Sequence, residues 1–382
     1  MKDKPTASIT EHFASLEDPR INRTKRHQLL DIIVIAICAI ICGANNWVEV
    51  EMFGKAKLAW LQTFLELPNG IPSHDTFGRV FSRLNPEQFQ QCFLAWIQAV
   101  SEVTDGQVIA IDGKVSRGAC DRALGKAGIA MVSAWATANH LVLGQVKVDD
   151  KSNEITAIPK LLQVLEVAGC IVTIDALGCQ TEIAQTIVDL DADYVLAVKE
   201  NQGHLYEDIV DLFDAAQEVN FKDVPHDYAK TIDKGHGRLE IRQCWTISDA
   251  QLVDYLRNRA GWRNLRTIVK VVAERRVNGD TTVETRYFIS SLAGDARHLL
   301  KAVRSHGGIE NSLHWVLDIA FDEDHNRVRK DNGPANLAIL RHIALNLLKQ
   351  EKTLKVGIKA KRLRAGWDEP YLLKVLFGPG AI

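Results

Sequence analysis

The chain of 382 residues lacks any apolar run long enough to cross a membrane. Its longest, Ile32 to Cys42, covers eleven residues, well under the roughly 18 or more that a spanning helix requires. That run reads as a buried helix. Cysteine is scarce too: the seven present are odd in number, scattered and mostly set in apolar stretches, with no convincing zinc-finger spacing. This argues against a disulfide scaffold and fits reduced thiols in a cytoplasmic compartment. The first residues, Met1 to Lys4, lead into polar sequence rather than a short apolar segment with a cleavage site, so no secretory signal is expected. Internal repeats and low-complexity segments are absent. Net charge is also nearly absent, at −2, and gives no global sign of a polyanionic partner.

Charge is uneven locally. Between Arg341 and Arg364 eight cations stand against Glu351 alone, and Arg20, Arg23, Lys25 and Arg26 form a second basic cluster. Either could neutralise phosphates, although such runs are more often solvated helix faces. Length alone favours two or three domains.

Residues 1–103 read as a helical N-terminal domain, with periodic segments at Leu29 to Ala44, Trp47 to Leu67 and Pro86 to Val103. Ser73 to Thr76 and Asn85-Pro86 carry helix-start signals. A different texture begins at Gln107. Val108 to Asp112, Ile129 to Thr137 and Leu141 to Val148 read as three consecutive antiparallel strands, with Asn139-His140 as a turn. A helix (Ile155 to Val167), a strand (Cys170 to Ile174), a helix (Thr181 to Leu190) and a strand (Tyr194 to Val198) follow. The order β-β-β-α-β-α-β predicts an α/β fold of the ribonuclease-H-like kind, a mixed sheet with crossover helices, over residues 104–350. A mainly β insertion is expected at about 200–296, and residues 351–382 read as a basic C-terminal tail.

Asp112 and Asp175 stand at the predicted ends of the first and fourth strands, which would be parallel neighbours. Two like carboxylates raise each other's pKa, so such a pair is normally tolerated when a cation sits between them. Oxygen ligands suit magnesium or manganese, and two such ions roughly 3.5–4 Å apart can hold the attacking and leaving oxygens of a phosphoryl displacement. Glu310 is the candidate third acid. His306 and His314 lie four residues to either side of it, on one helical face, where they could orient the carboxylate or contact phosphate. Each residue also has a plainer reading. Asp112-Gly113 is a common turn pair, Asp175 could cap the next helix, and Glu310 could be a solvated helix residue. Asp318, Asp322, Glu323 and Asp324 form an acidic patch that could replace Glu310 but more simply caps that helix. Lys114, Lys199, Arg238, Arg304, His306 and His314 are the candidates for DNA contact or for support of the acids.

Several long segments together resemble one known family. They are Asp18 to Arg20, Pro68 to Phe77, Ile109 to Lys114, Lys151 to Ile155, Thr173 to Gln180 and Ile309 to Trp315. In their order they resemble the DDE transposases of bacterial insertion sequences, in the branch related to H-repeat-associated proteins with an N-terminal associated domain. The resemblance implies that Asp112, Asp175 and Glu310 are both catalytic triad and metal ligands, and that magnesium is the working cofactor, with manganese able to substitute. It implies double-stranded DNA, transposon ends and target, as partner, and a homodimer in the synaptic complex. Two departures stand out. Where the wider group has tyrosine, arginine and lysine around the glutamate, this chain has Val303, His306 and Leu317. Gly307 also replaces the tryptophan that usually follows the histidine; with Gly308 it predicts a helix looser by about 1 kcal/mol per glycine. A nuclease of the same fold without strand transfer, or an inactive DNA-binding remnant, are the competing readings.

Overall fold

The structure, a computed structural model, describes residues 9–100, 105–116, 129–148, 153–235 and 237–378. The N-terminal part is helical: α1 (Ile9–Phe13), α2 (Leu29–Ile41), α3 (Trp47–Ala56), α4 (Leu58–Leu61), α5 (His74–Arg83) and α6 (Pro86–Val100). The apolar run is the buried helix it promised, since every residue of α2 from Asp31 to Ile41 is buried. Ser73 caps α5 by accepting from the Thr76 amide, and Asn85 accepts from the amides of Glu87 and Gln88 at the start of α6. The expected single helix from Trp47 to Leu67 is instead broken at Lys57, which leaves helical geometry with φ −109°.

β1 (Val108–Ser116), β2 (Ile129–Ala136) and β3 (Leu141–Lys147) form the antiparallel meander. His140, at φ 57°, supplies the left-handed residue of the β2–β3 turn. The chain continues through α7 (Glu154–Gln163), β4 (Ile171–Ile174), α8 (Thr181–Asp189) and β5 (Asp193–Val198), and β4 pairs in parallel with both β1 and β5. The resulting order β3-β2-β1-β4-β5 is the ribonuclease-H-like core the sequence predicts. Its central strands are apolar on both faces, as a sheet covered on both sides requires: Ile109, Ala110, Ile111 and Val172 are fully buried.

The region at about 200–296 opens with α9 (Gly203–Glu218), a sixteen-residue helix that the mainly β reading passed over. Four strands follow: β6 (Asp227–Gly235), β7 (Arg238–Ile247), then, after α10 (Ala250–Asp254), β8 (Thr267–Val277) and β9 (Asp280–Ser290). They extend the central sheet rather than forming a second one, because β9 pairs antiparallel with β5, Leu196 opposite Ile289. Asn278 and Gly279, both at positive φ, make the tight turn between β8 and β9. The β5 pairing ends at Val198 opposite Tyr287, while β8 and β9 continue together to Val277 opposite Asp280. The four antiparallel strands β9-β8-β7-β6 therefore project together past the end of β5.

After β9 come α11 (Ala296–Ile309), one turn of π-helix (Glu310–His314), α12 (Trp315–Phe321), α13 (Gly333–Gln350), α14 (Ile358–Trp367) and α15 (Glu369–Phe377). α13 is buried along almost its whole length and ties the molecule together. Asn346 exchanges two hydrogen bonds of 2.9 Å with the backbone of Val142, covering the outer strand β3. Asn336 donates to the carbonyls of Phe81 and Leu84 at the end of α5. Residues expected to be a basic tail thus form folded helices, and three cations of the basic run, Arg341, Lys361 and Arg362, are buried. Lys361 donates to the Leu348 and Glu351 carbonyls at the end of α13, where they lack helical partners. Arg20 of the other basic cluster is likewise taken up by Asp18, at 2.8 Å, and by the His27 carbonyl. Cys38, Cys42, Cys92, Cys170, Cys179 and Cys244 are free thiols, and Cys120 lies outside the described residues. No helix among the described residues is long and apolar enough to cross a membrane.

Candidate active site

Asp112 is not in a turn. β1 runs through it to Ser116, with Asp112 opposite Ser133 and Gly113 opposite Val132. β4, however, stops at Ile174 opposite Ile111, so Asp112 is the first residue of β1 without a β4 neighbour. Asp175 follows directly at the end of β4 and does cap, as its plainer reading held: its Oδ1 accepts from the amides of Leu177 and Gly178 at 3.1 and 3.3 Å. Two side chains from the segment after β5 brace this turn. Asn201 donates to the Ala176 carbonyl and Gln202 to the Cys179 carbonyl, at 2.7 and 2.8 Å. Nothing local to residues 199–202 signals a brace between the ends of the neighbouring strands β4 and β5.

Glu310 begins the π turn. The wider turn leaves the Gly307 carbonyl to the Asn311 side chain, which donates to it at 3.0 Å; such turns recur at functional sites. His306 and His314 flank Glu310 but address different strands. His306 Nδ1 lies 3.0 Å from Thr173 Oγ1 on β4. His314 Nδ1 lies 3.4 Å from Asp112 Oδ2 and 3.6 Å from Glu310 Oε2. His314 is buried, and burial pushes its pKa down against the pull of Glu310. Its other ring nitrogen, Nε2, is buried and has no hydrogen-bond partner among the described residues, and His314 lines a cavity of about 30 Å³ with Gln145, Arg341 and His342.

Donor atoms of Asp112, Glu310 and His314 all lie within 4.8 Å of one another. Two carboxylate oxygens and an imidazole nitrogen make a donor set that a hard or borderline divalent cation accepts. Asp175 is outside that tight set but acts on it electrostatically. Burial, the hydrogen bond and charge of Glu310 and the charge of Asp175 together push the Asp112 carboxyl up to about 8. The nearest lysine gives no relief. Lys114 points to Asp318 and Glu323, the latter at 2.9 Å, and donates to the His314 carbonyl. Glu323 also faces Arg341 at 3.7 Å, and Asp322 caps α12 with φ 51°. The acidic patch of 318–324 is therefore largely committed to these contacts rather than to the metal-donor set.

A raised carboxyl pKa means that the folded state keeps a proton the unfolded chain has lost. Below the ordinary value of 3.8 both states are protonated; as pH climbs from there toward about 8 the unfolded state gives up the proton first, and stability falls. In chelator-treated protein the melting temperature should decline across that window, and Asp112→Asn should flatten the decline. Divalent cation should oppose it, by about 2.7 kcal/mol at a hundredfold excess over Kd.

α11 passes through Gly307 and Gly308 without a break. A Cβ on Gly307 would meet nothing within 4 Å. Gly307→Ala should therefore stabilise the fold by about 1 kcal/mol in denaturant titration, through helix propensity alone.

The remaining basic candidates are Lys199 after β5, Arg238 at the start of β7 and Arg304 on α11. Lys199 is exposed where β5 ends. Arg238 pairs with Glu240 at 3.2 Å, and Arg304 with Asp233 at 3.0 Å. His236, two residues before Arg238, lies outside the described residues.

Acids gathered over the centre of a ribonuclease-H-like sheet, with donors a divalent cation accepts, define a class of protein with an acidic metal-type site at the strand ends. Within that fold, the chain belongs to the family described as "Transposase DDE domain", which matches residues 103–347; residues 10–97 match the family described as "DDE_Tnp_1-associated". Among curated relatives, "Putative transposase YncI" of Escherichia coli O157:H7 is 40% identical over 97% of this chain and 94% of its own length. "H repeat-associated putative transposase YhhI" of Escherichia coli K12 is 39% identical over 97% of this chain and 98% of its own. A shorter relative from the same strain, "Inactive transposase YbfQ", is 40% identical over 20% of this chain and 89% of its own.

Proposed function

We propose that the protein is a working insertion-sequence transposase that cleaves double-stranded DNA at transposon ends and joins the ends to a target. Asp112, Asp175 and Glu310 are its catalytic acids and hold magnesium, with manganese able to substitute. The observation that carries this reading is the approach of Glu310 and His314, on a π turn after the long insertion, to Asp112 on β1. When bound, a divalent ion polarises phosphate oxygens and neutralises the charge that builds on them.

The protein's own side chains do the rest. Asp112 must give up its proton to serve, which the charges of Glu310 and Asp175 oppose until a cation arrives. His314 holds Asp112 and Glu310 in register, and His306 anchors the same helix to Thr173 on β4. Asn201 and Gln202 fix the turn that aims Asp175. DNA follows the exposed cations: Lys199, Arg286 on β9, and Lys352, Lys355 and Lys359 beyond α13. Its affinity falls steeply with salt. Two ends brought together call for two copies of the chain at synapsis.

The test is a joining assay with DNA ends carrying a free 3′-hydroxyl, a supercoiled target and magnesium. Joined products support the proposal. Cleavage without joining makes the protein a nuclease of this fold, and DNA binding without nicking makes it an inactive remnant.

A further inference from the structure

Glu154, the first residue of α7, is an acid that the triad does not include. α7 packs on β2 and β3, whereas α11 packs on β1 and β4. Because successive side chains of a strand face opposite sides of the sheet, the face opposite Asp112 at this point of β1 belongs to Gly113. The Glu154 carboxylate occupies the space where a residue-113 side chain would go: a Cβ on Gly113 would lie 2.1 Å from Glu154 Oε1 and 2.7 Å from Oε2. The glycine is what admits it. Beyond Ile111 this stretch of β1 has lost its β4 partner, so the flank is open for the carboxylate to reach the strand end. Among the described residues Glu154 has no hydrogen bond or ion pair, and the group whose charge acts on it is Asp175.

An acid in the first turn of a helix is ordinarily explained by the helix dipole. That accounts for a glutamate pointing into solvent, as at Glu182 in α8, which shares a hydrogen bond with Thr181. It does not account for a carboxylate laid against the backbone of Gly113, next to Asp112, and within reach of the charge of Asp175. Asp175 stands at the end of β4 between the two helical layers and acts on acids from both, Asp112 on one side and Glu154 on the other. Asp175 is thus the acid whose charge reaches carboxylates from both helical layers.

We propose that Glu154 is a fourth carboxylate of this metal site, completing with Asp175 the oxygen set on the α7 side of β1, with Gly113 as the residue that makes room for it. The inference rests on the acidic site proposed above, and extends it by one ligand and one required glycine.

Manganese titration of the full-length protein without DNA, followed by calorimetry and by the spin-resonance signal of free Mn²⁺, tests it. Glu154→Gln should weaken Mn²⁺ binding by at least about tenfold. Gly113→Ala should do the same while keeping the carboxylate, because the new methyl displaces the flexible end of Glu154, and Glu182→Gln should bind as wild type. Binding by both Glu154→Gln and Gly113→Ala within twofold of wild type, while Asp112→Asn loses it, overturns the role of Glu154 and leaves the triad standing. Wild-type binding by Asp112→Asn as well overturns the acidic site itself.

Discussion

Replacing Asp112 and Asp175 together by asparagine should lower DNA strand cleavage by at least about a thousandfold, while DNA affinity at fixed salt stays within a few fold. Metal-assisted stabilisation of phosphoryl-transfer charge is worth several kcal/mol, and each 1.36 kcal/mol is about tenfold in rate. Asparagine keeps the shape and the capping capacity that Asp175 uses toward Leu177 and Gly178, so the fold should survive. It should in fact gain stability without metal, since the substitution removes the burial of an ionisable group and the repulsion by Glu310 and Asp175 that together push Asp112 up to about 8. A variant that melts higher, binds DNA and does not cut separates loss of chemistry from loss of structure. Cleavage retained in the double variant would remove these two residues from the mechanism.

The second large effect is on stability. Arg362→Ala should destabilise the protein by about 3–5 kcal/mol in chemical denaturation, the range for leaving buried polar groups without their charged partner. Arg362 is 4% exposed, and its guanidinium donates to the Ile40 carbonyl at 3.0 and 2.7 Å and to the Ala44 carbonyl at 3.3 Å, closing the end of α2. It also donates to the Ala320 carbonyl at the end of α12 and lies over the Phe321 ring at 4.2 Å. Lysine cannot supply the planar fork, so Arg362→Lys should recover only part of the loss. Lys355→Ala and Lys359→Ala, at exposed positions of the same basic run, should change stability by less than about 0.5 kcal/mol and weaken DNA binding instead. Unchanged stability in Arg362→Ala with weakened DNA binding would reverse this division of the run.

How far such a division could be read beforehand differs from element to element. The meander and crossover strands were legible because their signals are local: β-branched runs bounded by turn residues, and a positive-φ residue such as His140 where the chain reverses. α9 carried an equally local signal, with Leu205, Ile209, Phe213 and Ala216 at helical spacing, but the alternating segments after it drew the region toward a β reading. The basic run failed as a charge argument for a different reason. A one-dimensional count gives every cation equal weight, while burial against a carbonyl-rich helix end decides which of them can face a phosphate.

What the amino-acid order determined was the succession of strands and helices, and hence that the acids at 112 and 175 fall on neighbouring strands, Asp175 at the end of β4 and Asp112 inside a β1 that runs on to Ser116. Pattern and turn chemistry act over a few residues, and the ribonuclease-H-like order follows from them. Tertiary structure alone decided that His314 rather than His306 reaches Asp112, that Lys114 turns away to Glu323, and that Glu154 lies in the space left by Gly113. Each of those depends on how a helix is seated over the sheet, and a π turn of one extra residue, or β4 stopping at Ile174 while β1 runs on to Ser116, resets which side chains meet.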